Sequence, residues 1–304
     1  MIKKRGEDRK KVLICGAGSI GIFLGAKLYS KNHEIHLFGR RKLKEAGKKI
    51  LIDNKEFEIS KRLFSMPKNG EYDFIFITSK LYDLEHIVKL IHNNKVNGRI
   101  IASIQNGIVD GSKYKRILNK KLVPICVFGG FRIEKNNLIS NMTSIGWLTE
   151  NSKQGKEISS LLSQCRIPCR AEKKFESFRT EKMIVNCCLN ALSAIEKKPF
   201  NSLFKNKETK KRIDSLFNEC YEILKKEYPL DNKDKIKERM IKSWHNLNHY
   251  SSTYQDVVSG RKSEIDFFNG WIVKAGEKYN IDTVENKKIL EDFKCPLAYI
   301  QNEV

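Results

Sequence analysis

An α/β N-terminal domain followed by an all-α C-terminal domain is the fold this sequence predicts, on three observations. Apolar strand-like runs alternate with amphipathic helical segments from Lys11 to Arg170. The first of those runs leads directly into Gly16-Ala17-Gly18-Ser19-Ile20-Gly21. From Phe175 onward only helical periodicity remains, punctuated by Pro199, Pro229 and Pro296.

Lys11 to Cys15 reads as a buried parallel strand, and Ile22 to Ser30 as the helix after it. Between them, Gly16 makes the turn, Gly18 admits a pyrophosphate, and Gly21 permits close packing, with the helix N-terminus facing the phosphates and Gly25 extending the small face. This marks a Rossmann-type dinucleotide-binding domain. Glu34 to Phe38 is the second strand and ends in Gly39-Arg40-Arg41. An acidic residue here would bind the ribose hydroxyls of NAD, whereas Arg40 can meet a 2′-phosphate, so the expected cofactor is NADP(H).

Residues 48–66 alternate like a small hairpin. Tyr72 to Thr78 is a buried strand ending in Ser79-Lys80, Leu81 to His92 a helix, and Arg99 to Ile104 a strand ending in Gln105-Asn106-Gly107. Lys80 and Asn106 thus follow the carboxyl ends of parallel strands, the edge where open α/β sheets bind ligands. A strand over Leu122 to Phe128, a hairpin over Phe131 to Leu148, a helix over Gln154–Gln164 and a strand over Ile167–Arg170 complete the first domain. Helices follow at 176–196, 208–228, 233–258, 263–279 and 283–293. The expected division is a dinucleotide-binding domain over 1–175 and a helical substrate and catalytic domain over 176–304.

The stretch from Lys182 to Glu196 is uncharged between those two residues and mostly apolar, so as a helix it is largely buried. Lys182, Asn186 and Asn190 recur every four residues, placing an amine and two carboxamides in one row. Burying an amide unpartnered costs roughly 1–3 kcal/mol, so the row needs partners, and a bound polar anion would supply them. Ser252 with Gln255 has the spacing of a capping box, and Glu264 beside Ser263 suits a helix start.

With 58 Lys and Arg against 36 Asp and Glu, the formal charge is +22. The lysines are scattered rather than blocked, which describes a solvated surface and argues against nucleic acid or membrane binding. Val12 to Ala26, after basic residues, resembles a signal peptide, but its glycines have the better explanation above and the run is too short for a membrane span. The eight cysteines form no Cys-x-x-Cys pair and read as reduced core residues of a cytoplasmic protein. His245 and His249 make a helical pair without metalloprotease spacing, so no metal is expected.

The glycine loop, Thr78-Ser79-Lys80, Gln105-Asn106-Gly107, the Lys182, Asn186 and Asn190 row, Ser252 with Gln255-Asp256, and Ser263-Glu264-Ile265-Asp266 occur in one order. In order and spacing they resemble the 2-dehydropantoate 2-reductase (ketopantoate reductase) family. That resemblance implies NADPH and 2-dehydropantoate meeting between a Rossmann and a helical domain, in the route to pantothenate and coenzyme A. It implies Lys182 as general acid, Glu264 orienting the substrate hydroxyl and pairing with the lysine side, and Asn186, Asn190 and Ser252 as substrate hydrogen-bonders. Gly16, Ala17, Gly18, Ser19, Ile20, Gly21, Arg40, Lys80 and Asn106 fall on the cofactor side. The basic extension from Met1 to Lys10 has no counterpart in the pattern, and Gln105 stands where some members carry His.

Two other readings compete: an NADP-dependent reductase of another 2-oxo acid, and a non-catalytic NADP(H)-binding sensor or nucleic-acid-binding protein that kept the fold. Helical domains of this kind often associate, so a homodimer is compatible with the chain, although no stretch identifies the interface.

Overall fold

The computed structural model describes residues 9–39, 49–58, 61–134 and 137–294. The chain divides into two compact units between Phe175 and Glu176.

In the first unit β1 (Lys11–Cys15), α1 (Ser19–Tyr29) and β2 (Glu34–Phe38) form the opening β-α-β, with β1 and β2 parallel. β3 (Lys49–Ile52) and β4 (Lys55–Glu58) are an antiparallel hairpin, while β5 (Lys61–Leu63) leaves it to pair parallel with β2. β6 (Glu71–Ile77), α2 (Leu81–Asn93), β7 (Asn97–Ile104), a 3-10 turn with α3 (Lys115–Leu118), and β8 (Leu122–Glu134) continue the parallel sheet. β9 (Asn137–Glu150) returns antiparallel along β8, and α4 (Lys153–Gln164) leads to β10 (Cys169–Glu172).

The sheet order is β4-β3-β9-β8-β7-β6-β1-β2-β5, with β10 on β9. Alternation along the central strands sends Val12, Ile14, Phe74, Phe76, Ile100 and Ala102 into a core with α1. Leu13, Ile75, Ile77 and Ile101 enter a second core with Leu84 and Val88 of α2. Covering both faces explains why these strands read as continuous apolar runs.

One hairpin is longer than expected. The strand expected over Leu122 to Phe128 and the hairpin expected from Phe131 leave Gly129-Gly130 between them, but the β8–β9 ladder runs through the pair with a register shift between Phe128 and Gly129. A Cβ on Gly129 would lie 2.9 Å from the Asn141 carbonyl oxygen, so glycine is what the shift requires. The last strand starts two residues later than expected, because Ile167 is fully buried in the core before β10 begins.

The second unit is helical: α5 (Phe175–Val185), a π turn over Asn186–Asn190, α6 (Ala191–Ile195), α7 (Phe200–Leu203), α8 (Lys207–Leu224), α9 (Lys233–Trp244), α10 (Ser252–Val258), α11 (Asn269–Tyr279) and α12 (Val284–Lys294). Three expectations are corrected. The single helix over 176–196 contains the π turn. The helix over 233–258 is two, because Ser251 caps a new start, its Oγ accepting from the Tyr254 amide. His245 therefore closes α9 and His249 lies beyond it, so they do not form a helical pair. The helix over 263–279 begins only at Asn269, after a 3-10 turn over Ile265–Phe267. Among the described residues no helix is long and apolar enough to cross a membrane.

Candidate active site

The loops after β1, β6 and β7 lie side by side because these three strands are parallel neighbours. Gly16 has φ +135°, and a Cβ there would meet Thr78 Oγ1 at 2.6 Å and the Ser79 amide nitrogen at 2.7 Å. On Gly21 it would strike the Gly16 carbonyl oxygen at 1.8 Å. Gly18 differs, since among the described residues a Cβ there meets nothing within 4 Å. Two glycines thus serve packing, and the middle one leaves open space.

Helix α1 begins at that space with no side-chain cap and no acidic residue in its first turn. Its leading amides lack partners within the helix, and they suit an anion. Thr78 ties the loop down: its amide donates to the Cys15 carbonyl at 2.9 Å and its Oγ1 to the Gly16 carbonyl at 2.8 Å. Sequence reasoning placed Thr78 in a motif without a role, and strand alternation gave no signal for one.

At the same sheet edge, Gln105 Nε2 donates to the Ser79 carbonyl at 3.1 Å, joining the ends of β6 and β7. Ser79 Oγ and Gln105 Oε1 are buried there and have no hydrogen-bond partner among the described residues. Lys80, at the start of α2, and Asn106, beside Gly107 with φ +87°, are both half-buried on this edge. Open space at Gly18, uncapped amides and orphaned polar atoms together fit a dinucleotide. Arg40, the residue assigned to the 2′-phosphate, lies outside the described residues.

The second group of candidate residues is built on the interrupted helix. Asn186 and Asn190 are each 5 % exposed, and Asn190 Nδ2 donates to Asn186 Oδ1 at 3.3 Å. Asn186 Nδ2 is buried and has no hydrogen-bond partner among the described residues. Lys182, half-buried, stands on the turn of α5 just before the π turn. In an uninterrupted α-helix, residues eight apart are offset by roughly 80° around the axis; a π turn absorbs one residue and reduces that to roughly 20°. On ideal geometry a π turn brings positions eight apart, as those of Lys182 and Asn190 are, close to one line along the helix, which α-helical spacing alone does not.

Helix α10 packs on this turn. Ser251 Oγ donates to the Asn190 carbonyl at 2.9 Å, and the Ser251 amide donates to Ser193 Oγ at 3.2 Å. The cap assigned to Ser252 thus belongs to Ser251, and Ser252 opens the helix half-buried. Asp256, at 5 % exposure, pairs with Arg261 Nε at 3.0 Å and closes the loop after α10. Glu264, 4 % exposed, precedes the 3-10 turn. The two buried amides and the amine are donors of the kind a small oxygen-rich anion takes, while Glu264 adds a buried carboxyl elsewhere in the same unit.

The model for the ketopantoate reductase PanE/ApbA family matches residues 12–149, and that for its C-terminal domain matches residues 174–294. A 2-dehydropantoate 2-reductase of Aquifex aeolicus is 27 % identical over 304 residues, spanning 94 % of this chain and 96 % of its own. The crystal structure of a PanE/ApbA family ketopantoate reductase from Ralstonia eutropha JMP134 is similar with a TM-score of 0.84, at 21 % identity, over 96 % of this chain and 99 % of its own. D-mandelate dehydrogenase in a ternary structure with NADH and anilino(oxo)acetate has a TM-score of 0.83 at 20 % identity, over 96 % and 99 % of the two chains. With both halves matched in order by the two models of one family, this chain belongs to the ketopantoate reductase PanE/ApbA family and is an oxidoreductase.

Proposed function

We propose that the protein reduces 2-dehydropantoate to pantoate with NADPH. The observation that carries the reading is the buried Asn186 Nδ2, which has no hydrogen-bond partner among the described residues, beside Asn190 and on the helix that carries Lys182. A buried donor without an acceptor is costly, and a carboxylate or hydroxyl oxygen of the substrate relieves it.

NADPH, when bound, supplies the hydride. The glycine loop and the start of α1 hold its pyrophosphate, Lys80 and Asn106 lie on its side of the reaction, and Arg40 selects its 2′-phosphate. Asn186, Asn190 and Ser252 hold the substrate's carboxylate and oxygens, and Glu264 orients its hydroxyl. As the ketone becomes an alkoxide, negative charge develops on oxygen. The Lys182 ammonium stabilises that charge and delivers the proton. Family membership supports this assignment of roles and the reading of the product as an intermediate of pantothenate and coenzyme A synthesis.

The test is NADPH oxidation by the purified protein with 2-dehydropantoate, run beside NADH and a panel of aliphatic and aryl 2-oxo acids. Efficient turnover with NADPH is the expected result. A higher efficiency with NADH overturns the role of Arg40, and preference for another 2-oxo acid overturns the substrate.

A further inference from the structure

A π turn inserted in an α-helix leaves a carbonyl that the intrahelical ladder does not serve in the usual way. In this turn, the Cys187 carbonyl is met from outside: Asn269 Nδ2, on α11, donates to it at 3.0 Å. Asn269 is fully buried. A carbonyl can only accept, so the amide group facing Cys187 must be the NH2. Its second N–H goes to Asn286 Oδ1 at 2.9 Å, and Asn269 Oδ1 has no partner among the described residues.

Asn286 is itself oriented, because its Nδ2 donates to Glu219 Oε2 at 2.7 Å. Glu219, on α8, also accepts from the amides of Glu285 and Asn286 at the start of α12, at 2.8 Å and 3.0 Å. A chain of oriented groups thus runs from a carboxylate on α8 through α12 and α11 to one backbone carbonyl. The unpaired Oδ1 is a cost that the two hydrogen bonds donated by the same amide offset. At the other end of the same turn, the Asn190 carbonyl receives the Ser251 hydroxyl at 2.9 Å.

We infer that Asn269 and Ser251 are positioning residues that hold the π turn in place. By holding its carbonyls they keep Asn190 in line with Lys182 and leave the Asn186 amide uncommitted for the substrate. This rests on the reductase reading for what the turn presents, and on the hydrogen bonds alone for what holds it.

The experiment uses the full chain with Asn269→Ala, Asn269→Asp, Ser251→Ala and Ser251→Thr. Asp keeps the shape of Asn but offers no N–H, and Thr keeps the hydroxyl. Amide hydrogen exchange at residues 190–192 is measured beside KM for the 2-oxo acid, Kd for NADPH and thermal stability. N269A, N269D and S251A are expected to speed exchange at those amides and to raise KM at least tenfold. The NADPH Kd stays within twofold, and S251T remains close to the parent. Unchanged exchange and KM in folded N269A and S251A overturn the proposal, as does a parallel loss of NADPH affinity, substrate affinity and stability that S251T shares. If the parent protein turns over no 2-oxo acid while exchange responds as expected, the reductase reading fails and the clamp stands. Should N269D not fold, the Ser251 pair decides.

Discussion

Thr78 Oγ1 donates a 2.8 Å hydrogen bond to the carbonyl oxygen of Gly16, binding the end of one parallel strand to the glycine turn of its neighbour. Thr78→Val keeps the shape and removes the donor. The expected cost is about 1 kcal/mol in stability. Because the turn loses its tether, NADPH Kd measured by fluorescence titration is expected to rise several-fold. An unchanged Kd would show that the turn holds its shape without Thr78.

The glycines of that turn separate by experiment. Gly21→Ala drives a Cβ into backbone at 1.8 Å and is expected to destabilise the protein by about 3 kcal/mol or more. Gly18→Ala meets no atom of the described residues within 4 Å, and its cost is expected to be about 1 kcal/mol or less. Its effect should instead fall on the cofactor, with NADPH binding at least tenfold weaker. Equal damage from both substitutions, in parallel thermal melts and titrations, would remove the distinction between packing and ligand space.

Lys182→Ala tests the proton donor. General acids contribute about 10²–10⁴-fold, and a loss in kcat of that size is expected with NADPH affinity unchanged. A near-normal kcat takes Lys182 out of the chemistry.

Glu227 accepts from Lys278 Nζ at 2.7 Å and from the Tyr279 hydroxyl at 2.6 Å, and these hydrogen bonds hold its carboxyl below the usual Glu range. A carboxyl with a lowered folded pKa stabilises the native state fully above its unfolded pKa and loses that contribution as pH falls through the folded value. Glu227→Gln is therefore expected to lower stability near neutrality and to flatten the acid limb of the urea-denaturation profile. Parallel profiles for the two proteins would count against the pairing.

Much of this was legible in the residues because each signal was local. A strand, a glycine turn and a helix between Lys11 and Tyr29 announce themselves by composition, and so do buried parallel strands such as Tyr72 to Ile77. Other features depend on contacts distant in sequence. Nothing near Asn186 signals a π turn, since the Asn269 amide that meets it is 82 residues away. Ser251 and Ser252 offer the same cap chemistry, and only the Asn190 carbonyl decides which hydroxyl turns inward. Gly129-Gly130 falls between the expected elements because a register shift is a property of two strands, and only one is visible locally.

That ladder bears on the order in which the first unit assembles. β8 and β9 are adjacent in the chain and paired over nearly their whole length, whereas β1, β2, β6 and β7 pair across longer stretches of intervening chain. Hairpins close in about 1–10 μs, and long-range parallel pairing is slower because loop closure must precede any reward. The antiparallel arm is therefore expected to zip first, giving β7 an edge on which to dock. In pulse-labelled refolding, amides of β8 and β9 should gain protection before those of β1 and β6, so the sheet would grow toward the glycine turn rather than from it.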